Sequence, residues 1–234
     1  MRLSICIPTY NRLSYLKKSI TTILKSNRND FEIVICDNHS IDGTEEYCTK
    51  LLKNDSRIKY FRNSKNLGIS PNIHNCIKNS SSDYCYLISD EDEINQEIID
   101  KIFPLLNNNY NAILSSVYDK KSNDYYIKRK SKYYKNFNFK LICNIHTYLS
   151  GIIVKKDCLD LNLLNNLSNE KHNIYHHIPI LISCLIKGNC YISSEIFCFK
   201  GYQEFRSDYN NFLSNNAKST KVSLPFYHLD NRIK

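Results

Sequence analysis

The sequence predicts an α/β fold, a mainly parallel sheet flanked by helices, with a smaller C-terminal part in the same domain. Three observations carry this. Strand and helix signals alternate from Leu3 to Val117 at the spacing of βα units. Three of the apolar runs end in polar clusters, where such sheets do their chemistry. A chain of 234 residues, 42% hydrophobic and with only 5 Gly and 5 Pro, suits a packed core rather than a linker or disordered chain.

The elements follow in order. Leu3–Pro8 is apolar, β-branched and stopped by a proline, so it reads as a strand. Leu13, Leu16, Ile20, Ile23 and Leu24 repeat at helical spacing. Phe31–Cys36 is a continuous strand, interrupted by Glu32 and ended by Asp37. Thr44 is the expected cap of a helix with Glu45 and Glu46 in its first turn. Ile58–Phe61 is a short strand, and Ser70-Pro71 reads as N-cap and first residue of a helix running to Lys78. Tyr84–Ile88 is a fourth strand, closed by Ser89-Asp90-Glu91-Asp92-Glu93. Ile98, Ile99, Ile102, Phe103 and Leu106 mark a helix, and Ala112–Val117 a strand. The second half is less regular. Asp119–Lys140 suggests loops and edge strands, Tyr148–Val154 a strand around Gly151, and His177–Lys187 a helix closed by Gly188. Short strands follow at Cys190–Ile192 and Ile196–Phe199.

The net charge of +9 favours anionic partners, or reflects only a composition crowded with Lys, Asn, Ile and Tyr. Ten cysteines without a CxxC pair, several inside apolar runs, read as small buried hydrophobes in a reduced, cytosolic compartment. No signal peptide is expected, and no apolar run reaches the length of a spanning helix. At most the protein touches a membrane peripherally, at its inner cytoplasmic face.

Several chemistries are excluded. No G-x-G-x-x-G follows the first strand, and no P-loop or G-x-S-x-G elbow occurs anywhere. His176 and His177 are adjacent and cannot both face one zinc ion from a regular helix. What remains is convergence. Thr9-Tyr10-Asn11-Arg12, Asp37-Asn38-His39-Ser40 and Asp90-Glu91-Asp92 all end strands, so the topology gathers them at one crevice. Carboxylates crowded this way repel unless a cation compensates. A divalent ion that also holds substrate phosphates would do so, because Mg²⁺ and Mn²⁺ are commonly bound by one or two carboxylates plus phosphate oxygens.

Ile5-Cys6-Ile7-Pro8-Thr9-Tyr10-Asn11-Arg12, Val34–Thr44, Asn66-Leu67-Gly68 and Tyr86–Asp92, in this order and spacing, resemble the family 2 glycosyltransferases of GT-A fold. The resemblance covers roughly residues 2–105. It implies inverting transfer of a sugar from a nucleotide-sugar, a UDP-sugar or dTDP-sugar, to a hydroxyl of a growing surface glycan or lipid-linked acceptor, with Mn²⁺ or Mg²⁺. Residues 1–117 would be the nucleotide-sugar-binding part, and 118–234 the acceptor-binding part with its extension.

By position, the resemblance implies that Pro8, Thr9, Tyr10, Arg12 and Asn66 line the nucleotide pocket. Asp37 would accept from the N3–H of uracil or thymine, Asp90 would lie near the ribose, and Asp92 would bind the metal, with Glu91 its alternative by one residue. The family's Glu-Asp pair, which supplies the general base, is missing. His177, neighbouring His176 or Glu170 would replace it, His177 by its position counted back from Gly188. Family members are often longer, so a chain truncated at Lys234 is one reading of its polar end. The rival readings are a sugar nucleotidyltransferase, a nucleic-acid-binding protein and a catalytically degenerate transferase. The acidic crevice argues against nucleic acid.

Overall fold

The computed structural model describes residues 2–138, 148–160, 164 and 177–201. Residues up to Gly201 belong to one compact unit. The strands are β1 (Leu3–Thr9), β2 (Phe31–Asp37), β3 (Ile58–Arg62), β4 (Tyr84–Leu87), β5 (Glu93–Ile94), β6 (Ala112–Asp119), β7 (Asp124–Ile127), β8 (Lys132–Tyr134), β9 (Ile152–Lys155) and β10 (Cys190–Phe199). The helices are α1 (Leu13–Leu24), α2 (Thr44–Asn54), α3 (Ile69–Asn79), α4 (Gln96–Leu106) and α5 (His177–Leu185).

The strands form one sheet in the order β3-β2-β1-β4-β9-β6-β10-β5, with β7 on β6 and β8 on β10. The half built by β1 to β4 is parallel, as right-handed βαβ crossovers require. The other half is mixed, and here the expectation of a mainly parallel sheet gives way. β9 slots antiparallel between β4 and β6, and β5 closes antiparallel on β10. The 117/118 division falls inside β6, so both parts share this sheet.

Both faces are covered, which is why the strands read as continuous apolar runs. Alternate residues of β1 and β2 point to opposite layers. Leu3, Ile5, Ile7, Ile33 and Ile35 meet α1 and α4 through Leu16, Ile20, Ile98 and Ile102. Cys6, Val34 and Cys36 meet Ile73 and Ile77 of α3, in a layer that includes Leu181 and Leu185 of α5. The nine cysteines among the described residues are all buried and free, filling space as small apolar side chains. Glu32 is buried too, accepting from Ser4 Oγ at 2.6 Å and from the Ser81 N–H and hydroxyl at 2.6 and 2.7 Å. Those three donors are how a charged residue survives inside a strand. No helix among the described residues is long and apolar enough to cross a membrane.

Two helix starts differ from the sequence reading. Thr44 lies inside α2. Asp42 instead accepts from Thr44 N–H at 3.3 Å and, through its other oxygen, from Leu13 N–H of α1 at 2.8 Å. One carboxylate thus serves the first turns of two helices, a placement favoured by both dipoles. α3 starts at Ile69 behind Gly68, whose φ of +89° suits glycine, so Ser70 and Pro71 fall in the first turn.

Candidate active site

The C-terminal ends of β1, β2 and β4 form one rim. Thr9 and Asp37 are register partners across β1 and β2. The loops after these strands interlock. Asn11 donates its N–H to Ser40 Oγ at 2.8 Å, and Asn11 Oδ1 accepts from Ile41 N–H at 2.8 Å. Asn11 holds a left-handed φ of +50°, which asparagine tolerates better than most residues. From β4, Asp90 accepts from Thr9 Oγ1 at 2.7 Å and lies 3.3 Å from Arg12 Nε, while Glu91 pairs with Arg12 Nη2. Segments about 80 residues apart in sequence are therefore stitched together, as topology predicts. Burial works against the Arg12 charge, yet Asp90 and Glu91 hold its pKa above the usual arginine value.

Asp37 sits at the rim but faces inward. It is fully buried, and its carboxylate accepts from Ser40 N–H at 2.8 Å, Tyr60 hydroxyl at 2.7 Å and Arg62 Nη1 at 2.7 Å. Burial, then the bond to Asp37, pushes the Tyr60 hydroxyl pKa up. Arg62 is the register partner of Asp37 on β3, so the counter-charge arrives through the sheet itself. Neither Tyr60 nor Arg62 was singled out from sequence. The available signal was an aspartate ending a buried strand, which needs a cation or several donors nearby. Asn66 joins a second network instead of standing alone. Its Oδ1 accepts from Asn38 Nδ2 at 2.7 Å, and Asn38 Oδ1 accepts from Asn63 Nδ2 at 3.0 Å and Leu67 N–H at 2.9 Å. Pro8 and Tyr10 flank Thr9 at the rim, both half-buried.

Asp92 is fully buried. It accepts from Tyr148 hydroxyl at 2.6 Å, Gly201 N–H at 2.7 Å and Ser150 Oγ. Ser150 Oγ in turn accepts from Ser89 N–H at 2.9 Å. Burial pushes the Asp92 carboxyl up to about 6 against those three hydrogen bonds. Tyr148 and Ser150 belong to the segment entering β9, and Gly201 follows β10, so Asp92 ties three parts of the chain into the acidic turn. The approach is close, since a Cβ on Gly201 would lie 1.9 Å from the Glu91 carbonyl oxygen.

The three carboxylates of the acidic turn differ in their partners. Asp90 and Glu91 already share a cationic group, the Arg12 guanidinium, and offer two hard oxygen donors at the rim. That is the donor set of an ion completed by substrate phosphates. Asp92 has both oxygens engaged inside the protein. No cluster of three or more His, Cys, Asp or Glu able to hold a metal occurs among the described residues. His177 opens α5 and is buried. His176 and Glu170 lie outside the described residues.

A parallel βα half-sheet whose strand ends gather a threonine, an arginine and an acidic pair defines the class, an α/β protein with a polar crevice at its strand ends. The family is then plain. The model of Glycosyl transferase family 2 matches residues 4–184, and the chain belongs to that family. Abequosyltransferase RfbV of Salmonella typhimurium is 28% identical over 240 residues, 86% of this chain and 67% of that protein. A Campylobacter jejuni protein named GalNAc(5)-diNAcBac-PP-undecaprenol beta-1,3-glucosyltransferase is 32% identical over 110 residues, 47% of this chain but only 36% of its own length. The crystal structure of S. aureus TarS 1-349 in complex with UDP matches with a TM-score of 0.69 at 15% identity, covering 96% of this chain and 76% of that one. The GT-A fold implied by the sequence resemblance is borne out.

Proposed function

We propose that this chain transfers a sugar, with inversion, from a UDP-sugar or dTDP-sugar to a hydroxyl of a growing surface glycan or lipid-linked acceptor. The observation that carries this reading is the Thr9–Asp90 and Arg12–Glu91 knot at the strand ends, where a nucleotide diphosphate would meet both a guanidinium and two carboxylates. Pro8, Thr9 and Tyr10 border the nucleoside side of this rim. A base contact at Asp37 requires the carboxylate to accept one more hydrogen bond beside Ser40, Tyr60 and Arg62, and a carboxylate has about four lone-pair sites for this. The named activity of the Campylobacter relative supports a diphosphate-lipid acceptor, and the UDP bound to S. aureus TarS supports the uridine nucleotide. The net charge of +9 favours work at the inner, anionic face of a membrane.

A Mn²⁺ or Mg²⁺ ion held by Asp90 and Glu91 would supply counter-charge to the departing diphosphate. Arg12 adds fixed positive charge at the same place. His177 at the start of α5, or Glu170 just before it, removes the proton from the acceptor hydroxyl as it attacks the anomeric carbon from the face opposite the nucleotide.

A hydrolysis screen of UDP-sugars and dTDP-sugars with Mn²⁺, read as nucleotide release, tests donor and activity together. Release from one donor, lost on Asp90→Asn, supports the reading. Tight UDP binding without release from any donor, with or without acceptor glycans, points to the degenerate transferase. Failure to bind any nucleoside diphosphate overturns the assignment.

A further inference from the structure

Arg12 is held in an unusual way for a residue between two carboxylates. Its side chain is only 14% exposed, against 5% for Asp90 and 11% for Glu91. A guanidinium has five N–H donors in a planar fork. Among the described residues only Nη2 of this fork makes a hydrogen bond, to Glu91. Nε lies 3.3 Å from Asp90 Oδ1 but is not aligned on it, and remains buried without a hydrogen-bond partner among the described residues. The guanidinium carbon rests 4.9 Å from the centre of the Tyr15 ring, a cation–π seat that holds it from the other side. The geometry is therefore an ion pair with donors to spare.

Those spare donors match one kind of ligand. Diphosphate oxygens accept from a guanidinium fork in parallel pairs, which a lone, misaligned carboxylate oxygen does not. While Arg12 stays on Asp90 and Glu91, its charge repels a divalent ion from the same two carboxylates. Once Arg12 turns onto phosphate, its charge no longer opposes an ion at the two carboxylates. We infer that Arg12 is an exchangeable counter-ion. It keeps free divalent metal off Asp90 and Glu91 and gives them up to the metal only when a nucleoside diphosphate arrives. Metal and nucleotide then bind as one event, each raising the affinity for the other by the same factor. The inference rests on the nucleotide reading proposed above and adds an order of assembly to it.

The test measures Mn²⁺ binding by electron paramagnetic resonance, with and without saturating UDP, in wild type, Arg12→Gln, Arg12→Lys and Tyr15→Leu. In wild type, UDP should raise Mn²⁺ affinity about tenfold or more. Arg12→Gln should bind Mn²⁺ without UDP about tenfold tighter than wild type, because a unit charge a few ångströms away is removed, and should lose most of the UDP effect. Arg12→Lys keeps the charge without the fork, so it should still exclude free Mn²⁺ while UDP couples more weakly. Tyr15→Leu loosens the seat and should shift binding in the Arg12→Gln direction by a smaller factor. Unchanged or weaker nucleotide-free Mn²⁺ binding by Arg12→Gln overturns the inference. If Arg12→Gln does not fold, as judged by circular dichroism, full UDP coupling in Arg12→Lys overturns it instead. If UDP binds none of the chains while Arg12→Gln still gains Mn²⁺ affinity, the nucleotide reading falls and the guarding role of Arg12 stands.

Discussion

Replacing Asp92 separates a buried organiser from a metal ligand, because the two roles predict opposite readouts. Asp92→Ala strands three donors: the Tyr148 hydroxyl, the Ser150 hydroxyl and the Gly201 N–H. An unsatisfied buried polar group costs about 1–3 kcal/mol, so the gross loss is about 3–9 kcal/mol. Deleting a carboxylate whose ionised form is already disfavoured by burial offsets part of this, leaving a net loss of about 2–6 kcal/mol. Asp92→Asn behaves differently. Its carbonyl oxygen still accepts from Tyr148 and Gly201, and its amide can donate to Ser150 Oγ, so the cost is about 1 kcal/mol.

Urea denaturation gives these differences directly, provided the m-value is unchanged. Calorimetric titration of the same variants with Mn²⁺ and UDP gives the second readout. Asp92→Asn should stay folded and bind both as wild type does. Glu91→Gln should melt close to wild type yet lose about tenfold or more in metal affinity, since it removes a charge the ion needs. If Asp92→Asn loses Mn²⁺ binding at full stability and Glu91→Gln keeps it, the partition of roles argued from burial is wrong and Asp92 touches the metal.

Gly151 holds φ +87°, and an added Cβ would lie 2.6 Å from Ser115 Oγ; Gly151→Ala should cost about 2–4 kcal/mol in urea melts. Adding Ser115→Ala should recover the steric share and leave the backbone share. Burial lowers the pKa of His74 from 6.5, and its Nδ1 has no hydrogen-bond partner among the described residues. The unfolded chain then binds the proton more readily, so His74 lowers stability as pH falls through 6.5 and below; His74→Gln should flatten the melting temperature over that window. His177→Ala should cut transfer by about 10²–10⁴-fold while leaving UDP binding intact. If Glu170→Ala abolishes transfer and His177→Ala does not, the base is the carboxylate.

The parallel half of the fold was legible because its strands are buried on both faces and its helices on one, which writes continuous runs and 3,4-spaced repeats into the residues. β9 was legible as a strand but not in direction, because a short apolar run carries no sign of the neighbour it will join. The helix starts of α2 and α3 were misread for a related reason. Asp42 serves α1, 29 positions away, as well as α2, and such sharing leaves no local signature. At the site, the convergence of Thr9, Arg12, Asp90 and Glu91 followed from topology alone. The partners of Asp37 and Asp92 did not, since Tyr60, Arg62, Tyr148, Ser150 and Gly201 are ordinary residues until the fold points them at a carboxylate.

The four rim carboxylates show why residue type is a weaker guide than surroundings. Asp37 and Asp92 are each fully buried, and each accepts from three protein donors. Asp90 and Glu91, between them at the rim, share one guanidinium whose fork makes one hydrogen bond among the described residues. A carboxylate held by three donors of its own protein fixes loops; one balanced by a movable cation can change partners. Charge therefore concentrates at the rim for two separable purposes. The buried pair sets the positions of β2, β3 and the segments around Ser150 and Gly201. Their rigidity limits where Glu91 can stand, because the Gly201 backbone packs directly against the Glu91 carbonyl. A bulkier residue at Gly201 should accordingly disturb metal and nucleotide binding through Glu91 without touching either ligand, whereas substitutions of Tyr60 should reach the site only through Asp37 and the β2 loop.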